Sequence, residues 1–200
     1  MKQKCAVITG ASRGIGAAAA ERFAAGGWNL ALSCVRSRET LEELARRLHA
    51  KWGITCLTYM GDMGREEAVR EFFGRIEESF GGAGVLVNNA GISRVGLLEE
   101  MSLEEWEEVM RTNVTSAFLC ARAAIPYMLR RKSGAIINVS SVWGCVGASC
   151  EAAYSASKGA VNALTRALAK ELAPSGIAVN AVACGAVDTD MNACFSPEER

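Results

Sequence analysis

A tyrosine and a lysine stand four residues apart, at Tyr154 and Lys158. They lie in an alanine-rich stretch typical of a helix, and residues four apart project from the same helix face. A phenol normally titrates near pH 10, but a neighbouring ammonium group favours the phenolate. We therefore expect Lys158 to lower the pKa of Tyr154, so that the phenol exchanges a proton with a carbonyl oxygen near neutral pH. On spacing alone, a surface tyrosine packed against a lysine stem is the more common explanation.

Two serines precede this pair at the end of a short apolar run. Residues 135–140 predict a buried strand, and Ser140 and Ser141 stand at its carboxyl end. Open α/β sheets bind their ligands at that end of the strands. A serine hydroxyl is therefore expected beside Tyr154.

A glycine-rich turn near the amino terminus predicts an anion site. Gly10, Gly14 and Gly16 separate an apolar run at residues 5–9 from a helical segment at 17–25. Bare backbone N–H groups and the positive end of a helix dipole then face a phosphate. The spacing differs from the better-known G-x-G-x-x-G pattern, and a tight turn without a ligand is the alternative.

The elements that must position these residues alternate along the whole chain. This alternation, without repeats or a break in composition, predicts one domain of about 200 residues built on a doubly wound parallel α/β sheet. Strands are expected at residues 5–9, 29–34, 54–60, 85–88, 135–140 and 177–183, and helices at 17–25, 39–51, 65–80, 103–129 and 152–172.

Several loop residues fall on the same carboxyl edge. Asp62 follows the third strand, where its carboxylate could accept a hydrogen bond from an adenine amino group, and Asn88-Asn-Ala-Gly91 follows the fourth. Asp, Asn and Gly are also the usual turn formers, so both could be turn chemistry. Asn113 is a different signal, because asparagine is a poor helix former inside the helix expected at 103–129. Asn113 could mark a local kink with a functional role, or it could be a residue on the helix surface that has no function.

Arginines lie where the ribose of a dinucleotide is expected to bind. Arg13 lies in the glycine turn, and Arg36 and Arg38 follow the second strand, whereas residues 33–35 include no acid. A carboxylate there would bind a 2′-hydroxyl, while arginines favour a 2′-phosphate, so NADP(H) is preferred over NAD(H). Solvated surface arginines are the alternative.

Composition restricts the remaining function classes. Acidic and basic residues balance at 22 each, so no broad field for nucleic acid or anionic membrane is expected. The eight cysteines include no Cys-x-x-Cys pair and the single histidine is His49, so no metal site is expected. Without an apolar signal segment, we expect reduced thiols and a cytoplasmic location.

Taken together, the motifs resemble those of the short-chain dehydrogenases/reductases. The residues that carry the resemblance are Thr9-Gly10-x-x-x-Gly14-x-Gly16, Asn88-Asn-Ala-Gly91, Asn113, Ser141, Tyr154 and Lys158. Within that family the chain most resembles the 3-oxoacyl-[acyl-carrier-protein] reductases, which are NADPH-dependent and typically tetrameric. The resemblance therefore implies a homotetramer or homodimer for a complete chain. The segment Ser140–Glu151 is also similar to a sister group that reduces an aminopentanone carried on elongation factor P. The resemblance implies a Rossmann-like sheet of strand order 3-2-1-4-5-6.

The resemblance also implies a role for each motif residue. Tyr154 would be the general acid, Lys158 would hold the nicotinamide ribose, Ser141 would bind the substrate oxygen, and Asn113 would anchor a water molecule. The implied NADP(H) contacts are Gly10, Ser12, Arg13, Gly14, Ile15, Gly16, Arg36, Asp62, Met63, Asn89, Ala90, Gly91, Tyr154, Lys158, Val187 and Thr189.

The chain departs from the family pattern at two places, and both weaken the expectation of the family's activity. Cys184-Gly185 stands where the family usually has Pro-Gly. Relatives also continue through a lid, a helix and a seventh strand, so an incomplete carboxyl terminus is expected, and a nucleotide-binding module without turnover is the rival function. A third interpretation is an interaction role for the small-residue face of the helix at 152–172, which consists of Ala156, Ala160, Ala163 and Ala167.

Overall fold

Six parallel strands form one sheet in the order β3-β2-β1-β4-β5-β6 in the computed structural model, which describes residues 4–190. The predicted doubly wound sheet and its strand order are confirmed. The strands are β1 (Cys5–Ile8), β2 (Asn29–Cys34), β3 (Cys56–Met60), β4 (Val85–Asn88), β5 (Gly134–Ser141) and β6 (Ile177–Cys184).

Helices connect the strands and cover both faces of the sheet. They are α1 (Gly14–Ala25), α2 (Arg38–Trp52), α3 (Glu66–Phe80), α4 (Leu103–Met110), α5 (Ser116–Arg131), α6 (Trp143–Val146) and α7 (Ala152–Leu172). Short 3₁₀ turns lie at Leu98–Glu100 and Ala173–Ser175.

Strand β1 lies at the centre because it pairs on both sides. Ala6 is in register with Leu30 of β2 and with Val85 of β4. Successive side chains of a strand point to opposite faces, so the two faces of β1 enter different cores. Val7 packs in the core under α3 and α5, whereas Ile8 packs in the core under α1 and α2. Burial on both faces explains why the inner strands are nearly continuous apolar runs.

The fourth crossover is helical over the residues 103–129 predicted for it, but it is not one uninterrupted α-helix. Helix α4 starts in a capping box formed by Ser102 and Glu105 and ends at Met110. A single π-helical turn, Arg111–Thr115, then separates it from α5. Such turns insert one extra residue into a helix, and they often occur at functional sites. This π-helical turn contains Asn113, the polar residue that fitted the helical pattern poorly.

Candidate active site

The glycine turn is tightly packed between β1 and the end of β4. Gly10 and Gly14 have positive φ angles, and a Cβ on Gly16 would lie 2.5 Å from the carbonyl oxygen of Gly10. The side chain of Asn89 donates to the carbonyls of Thr9 and Gly10, both at 2.9 Å. These contacts leave no room for a side chain at position 10 or 16, and the positive φ angles favour glycine at positions 10 and 14.

The turn presents the amino end of α1, which fits a dinucleotide phosphate. Arg13 is the N-cap of α1 and makes no side-chain cap hydrogen bond. The N–H groups of Gly14, Ile15 and Gly16 therefore have no intrahelical acceptor, and they carry the positive end of the helix dipole. Thr189 returns to this turn, since its Cγ2 would lie 3.4 Å from a Cβ on Gly14. Ser12 is half-buried in the same turn.

The end of β2 offers positive charge and no acid, as a 2′-phosphate requires. Ser33 is buried there and its Oγ has no hydrogen-bond partner, while Arg36 is exposed. Arg13 lies 3.6 Å from Asp190, but both side chains are about 70% exposed, so this ion pair is weak. Arginine contact with a cofactor remains a prediction.

The loop after β3 shows the turn chemistry that was the alternative for Asp62. The Oδ1 atom of Asp62 accepts a hydrogen bond from the backbone N–H of Gly64 at 2.8 Å, and Oδ2 lies 3.4 Å from Nε of Arg111. The side chain of Met63 is buried in the core beside Phe72. A cofactor could therefore reach Met63 only through its backbone, and adenine binding by Asp62 stays a prediction.

Asn113 fixes the loop after β4 with its whole amide group. Its Oδ1 accepts from the N–H of Ile92 at 2.8 Å, and its Nδ2 donates to the carbonyl of Ile92 and to Oγ of Ser157, both at 2.9 Å. The residue is only 2% exposed. Asn113 thus joins the π-helical turn, the loop after β4 and α7. Its side chain is committed to these contacts, so the implied water contact would have to use the backbone.

Lys158 is buried next to the same loop. It is 4% exposed, and its Nζ donates to the carbonyl of Val139 on β5 at 2.7 Å. A Cβ on Gly91 would lie 3.4 Å from Nζ of Lys158 and 3.3 Å from Oδ1 of Asn113. Glycine at position 91 therefore keeps space open beside the ammonium group.

Tyr154 is a neighbour of both Lys158 and Ser141. The Nζ of Lys158 is 5.6 Å from the centre of the tyrosine ring, and Ser141 forms a hydrogen bond with the phenol. Ser140 instead donates to the backbone carbonyl of Lys158 at 3.4 Å. The geometry therefore favours Ser141 over Ser140 as the hydroxyl of the site.

The expected effect of Lys158 on the phenol was wrong. The pKa of Tyr154 is raised, first because burial penalises the phenolate, while the hydrogen bond from Ser141 lowers it and the carboxylate of Glu151 raises it further. Burial also lowers the pKa of Lys158 to about 8. At neutral pH the phenol is therefore protonated, which is the form that a proton donor needs.

Glu151 is a residue that the spacing arguments did not single out. Its carboxylate is buried, affects the pKa of Tyr154 and accepts a hydrogen bond from Ser93 at 2.5 Å. The sequence signal that could have identified Glu151 was its position, an acidic residue one helical turn before Tyr154. Cys184, the departure from the family's proline, also faces the site, because it pairs with Ser141 across β5 and β6.

Within residues 4–190, no group of three or more His, Cys, Asp or Glu side chains could hold a metal ion. Over the same residues, none of the helices is both long enough and apolar enough to cross a membrane.

Comparison with known proteins gives consistent matches. Residues 4–200 match the family model described as short chain dehydrogenase. The chain is 43% identical over 195 residues to a 3-oxoacyl-[acyl-carrier-protein] reductase of Staphylococcus aureus, covering 98% of this chain and 79% of the relative. It is 41% identical over 197 residues to the oxidoreductase YmfI of Bacillus subtilis, covering 98% and 80%. L-sorbose reductase of Gluconobacter frateurii, solved with NADPH and L-sorbose, has a TM-score of 0.90 at 35% identity, covering 95% of this chain and 72% of that one.

Proposed function

Because the chain belongs to the short-chain dehydrogenase family, we propose that it is an NADPH-dependent oxidoreductase that reduces a carbonyl group to an alcohol. The observation that carries this proposal is the convergence of Ser141, Tyr154 and Lys158 at the carboxyl edge of the sheet. The glycine turn at the start of α1 opens on the same edge. The related L-sorbose reductase was solved with NADPH, which supports the choice of cofactor.

In the proposed reduction, each residue of the site has a different role. Bound NADPH would supply the hydride that the carbonyl carbon accepts. Ser141 would hold the carbonyl oxygen by a hydrogen bond, and Tyr154 would donate its phenolic proton to that oxygen as negative charge develops. Lys158 would stabilise the resulting phenolate and hold the cofactor's ribose, and solvent would return the proton to Tyr154. Asn113 would keep the loop after β4 in place around them.

The remaining cofactor contacts are part of the same proposal. The turn residues would bind the phosphates, Arg13 and Arg36 the 2′-phosphate, and Asp62 with the Met63 backbone the adenine. Asn89, Ala90 and Gly91 would border the ribose and nicotinamide, and Val187 and Thr189 would border the nicotinamide amide and phosphates. The approach of Thr189 to Gly14 supports the last assignment.

The proposed substrate class is a 3-oxoacyl thioester carried on a protein or a small thiol. Support comes from the related reductase of Staphylococcus aureus, whose name specifies a 3-oxoacyl carrier substrate. We further propose a single domain at residues 1–200 and a homodimer or homotetramer that uses the exposed small residues of α7. A cytoplasmic location is proposed from the seven described cysteines, which are all free thiols.

The test measures NADPH oxidation with a short 3-oxoacyl thioester. Replacing Tyr154 by Phe removes the proton donor, so the rate should fall by about 10²- to 10⁴-fold while NADPH still binds. Tyr127→Phe is the control, because Tyr127 lies on α5 and its hydroxyl contacts Arg131. Equal rates in the wild type and Tyr154→Phe would contradict the assigned acid. NADPH binding without oxidation on any carbonyl would favour a nucleotide-binding module.

A further inference from the structure

The hydroxyl group of Ser157 has no role in the reduction described above. Ser157 is 0% exposed, and it stands three residues after Tyr154 and one residue before Lys158 on α7. Its Oγ donates to the backbone carbonyl of Tyr154 at 2.7 Å and accepts from Nδ2 of Asn113 at 2.9 Å. In an α-helix the carbonyl of residue 154 also accepts from the backbone N–H of residue 158. The hydroxyl is therefore bonded to the helical turn that carries both Tyr154 and Lys158.

The same hydroxyl bonds the π-helical turn to α7. Asn113 lies in the middle of that turn and is 2% exposed. Its amide also accepts from the N–H of Ile92 and donates to the carbonyl of Ile92. Gly91 precedes Ile92, and a Cβ on Gly91 would lie 3.4 Å from Nζ of Lys158. A chain of hydrogen bonds therefore runs from the loop beside Lys158, through Asn113 and Ser157, to α7.

Ser157 differs from a serine that only fills its own helix. Such a serine donates to a carbonyl three or four residues before it, and this bond alone indicates no function. Here the hydroxyl oxygen also accepts from an amide that another element supplies. Without the hydroxyl, a buried N–H of Asn113 would lose its acceptor, which is unfavourable. Deleting one oxygen leaves too little space for a water molecule, so the turn and the loop would have to shift before this N–H finds a new acceptor.

From this arrangement we propose that Ser157 is a positioning residue for the reduction. Its hydroxyl sets the distance between the loop after β4, which would border the nicotinamide, and Tyr154, which would donate the proton. Hydride and proton reach the carbon and the oxygen of one carbonyl group, so both donors have to be in place at the same time. Ser157 is buried and acts through Asn113, not by contact with the substrate or the cofactor. This proposal rests on the proposed reductase function.

Ser157→Ala and Thr165→Val separate positioning from stability. Thr165 is a matched hydroxyl on α7, because its Oγ1 donates to the carbonyl of Val161 at 2.7 Å and accepts from Nδ2 of Asn138 at 2.8 Å. Both substitutions leave a buried asparagine N–H without an acceptor, so urea unfolding should show a loss of stability in each. In NADPH oxidation with a short 3-oxoacyl thioester, Ser157→Ala should lower kcat at least about tenfold and change KM by less than about threefold. Thr165→Val should keep both constants within about threefold of the wild type.

Two further variants test whether Ser157 acts through Asn113. Ser157→Thr keeps a hydroxyl that can make the same bonds in a helix, so kcat should return to within about threefold of the wild type. In the Asn113→Ala background, Ser157→Ala should lower kcat by less than about threefold, because the partner of the hydroxyl is already absent. Equal effects of Ser157→Ala in the two backgrounds would overturn the proposal. So would equal losses of kcat in Ser157→Ala and Thr165→Val, or a Ser157→Thr protein that is as stable as the wild type but as slow as Ser157→Ala.

Hydrogen exchange separates this proposal from the reductase function. The backbone N–H of Ile92 donates to Oδ1 of Asn113, so its exchange with deuterium should be at least about tenfold faster in Ser157→Ala than in the wild type. Thr165→Val should keep the wild-type rate at this amide. Equal exchange in Ser157→Ala and the wild type would refute the connection between Ser157 and the loop. If none of the proteins reduces a carbonyl, the reductase function fails, while hydrogen exchange still decides whether Ser157 holds this loop.

Discussion

At the scale of single residues, burial controls the chemistry of the site more than proximity does. Tyr154 and Lys158 lie together as their spacing predicted, yet burial shifts both pKa values toward the neutral forms. The direction of these shifts could not be read from the sequence, because spacing reports which side chains meet and not how much water surrounds them. Glu151 was missed for the same reason, since a glutamate at a helix start is normally a solvated charge that interacts favourably with the helix dipole.

The lowered pKa of Lys158 predicts a pH-dependent cost to stability. Its pKa is about 8 in the folded protein against an ordinary 10.5, so below pH 8 folding carries the full cost of burying the ammonium, about 3 kcal/mol. Between pH 8 and 10.5 the folded protein releases the proton first, and the cost disappears. Lys158→Met should therefore be more stable relative to the wild type at pH 7 than at pH 11.

Urea unfolding of the two proteins between pH 7 and pH 11 measures this difference. Loss of the hydrogen bond to Val139 also lowers the stability of Lys158→Met, and the weakening of that bond when the ammonium becomes an amine is already contained in the pKa shift, so the trend with pH is the decisive quantity. Lys170→Met, an exposed lysine on the same helix, is the control. A difference that stays constant over this range would contradict the assigned shift.

At the scale of elements, periodicity located the strands and helices, but not the local irregularities that build the site. The bounds of β2, β4 and α7 agree with the prediction, because their apolar runs begin and end at clear polar or glycine signals. The π-helical turn at Arg111–Thr115 could not be predicted, since the contacts of Asn113 that accompany it come from Ile92 and Ser157, distant in sequence. Helix α6 was missed because it is only four residues long.

The glycine turn gives a prediction at this scale. In Gly16→Ala the new Cβ would lie 2.5 Å from the Gly10 carbonyl oxygen and 2.6 Å from Nδ2 of Asn89, so the turn has to shift. We expect stability to fall by about 1–3 kcal/mol and NADPH affinity to fall at least about tenfold. Thermal unfolding and fluorescence titration with NADPH measure the two effects.

The matched variant is Gly74→Ala in α3. A Cβ on Gly74 meets nothing within 4 Å, so the substitution should stabilise the helix by about 0.5–1 kcal/mol and leave NADPH binding unchanged. Unchanged NADPH binding in Gly16→Ala would show that the turn does not hold the cofactor.

At the scale of the whole molecule, the exposed small residues of α7 predict self-association. Ala156, Ala163 and Ala167 are exposed on this helix, and side chains of this size allow another helix to approach closely. We expect light scattering to report a dimer or a larger species for the wild type. Ala163→Arg should shift the protein toward the monomer, because it places a long charged side chain in the contact.

Ala50→Arg supplies the control for this experiment, since Ala50 is exposed on α2, away from α7. It should keep the wild-type mass. A wild type that stays monomeric at high concentration, or equal masses for all three proteins, would remove α7 from consideration as an interface.

The central place of β1 has a consequence for synthesis on the ribosome. Strands β1 to β3 lie within the first 60 residues and can pair with one another as soon as they emerge. The other edge of β1 gains its partner only when Val85–Asn88 has been translated, on the order of seconds later. During that interval the nascent half-sheet presents an open, apolar edge. A chaperone that binds extended hydrophobic segments would therefore meet this chain first at Ala6, Val7 and Ile8.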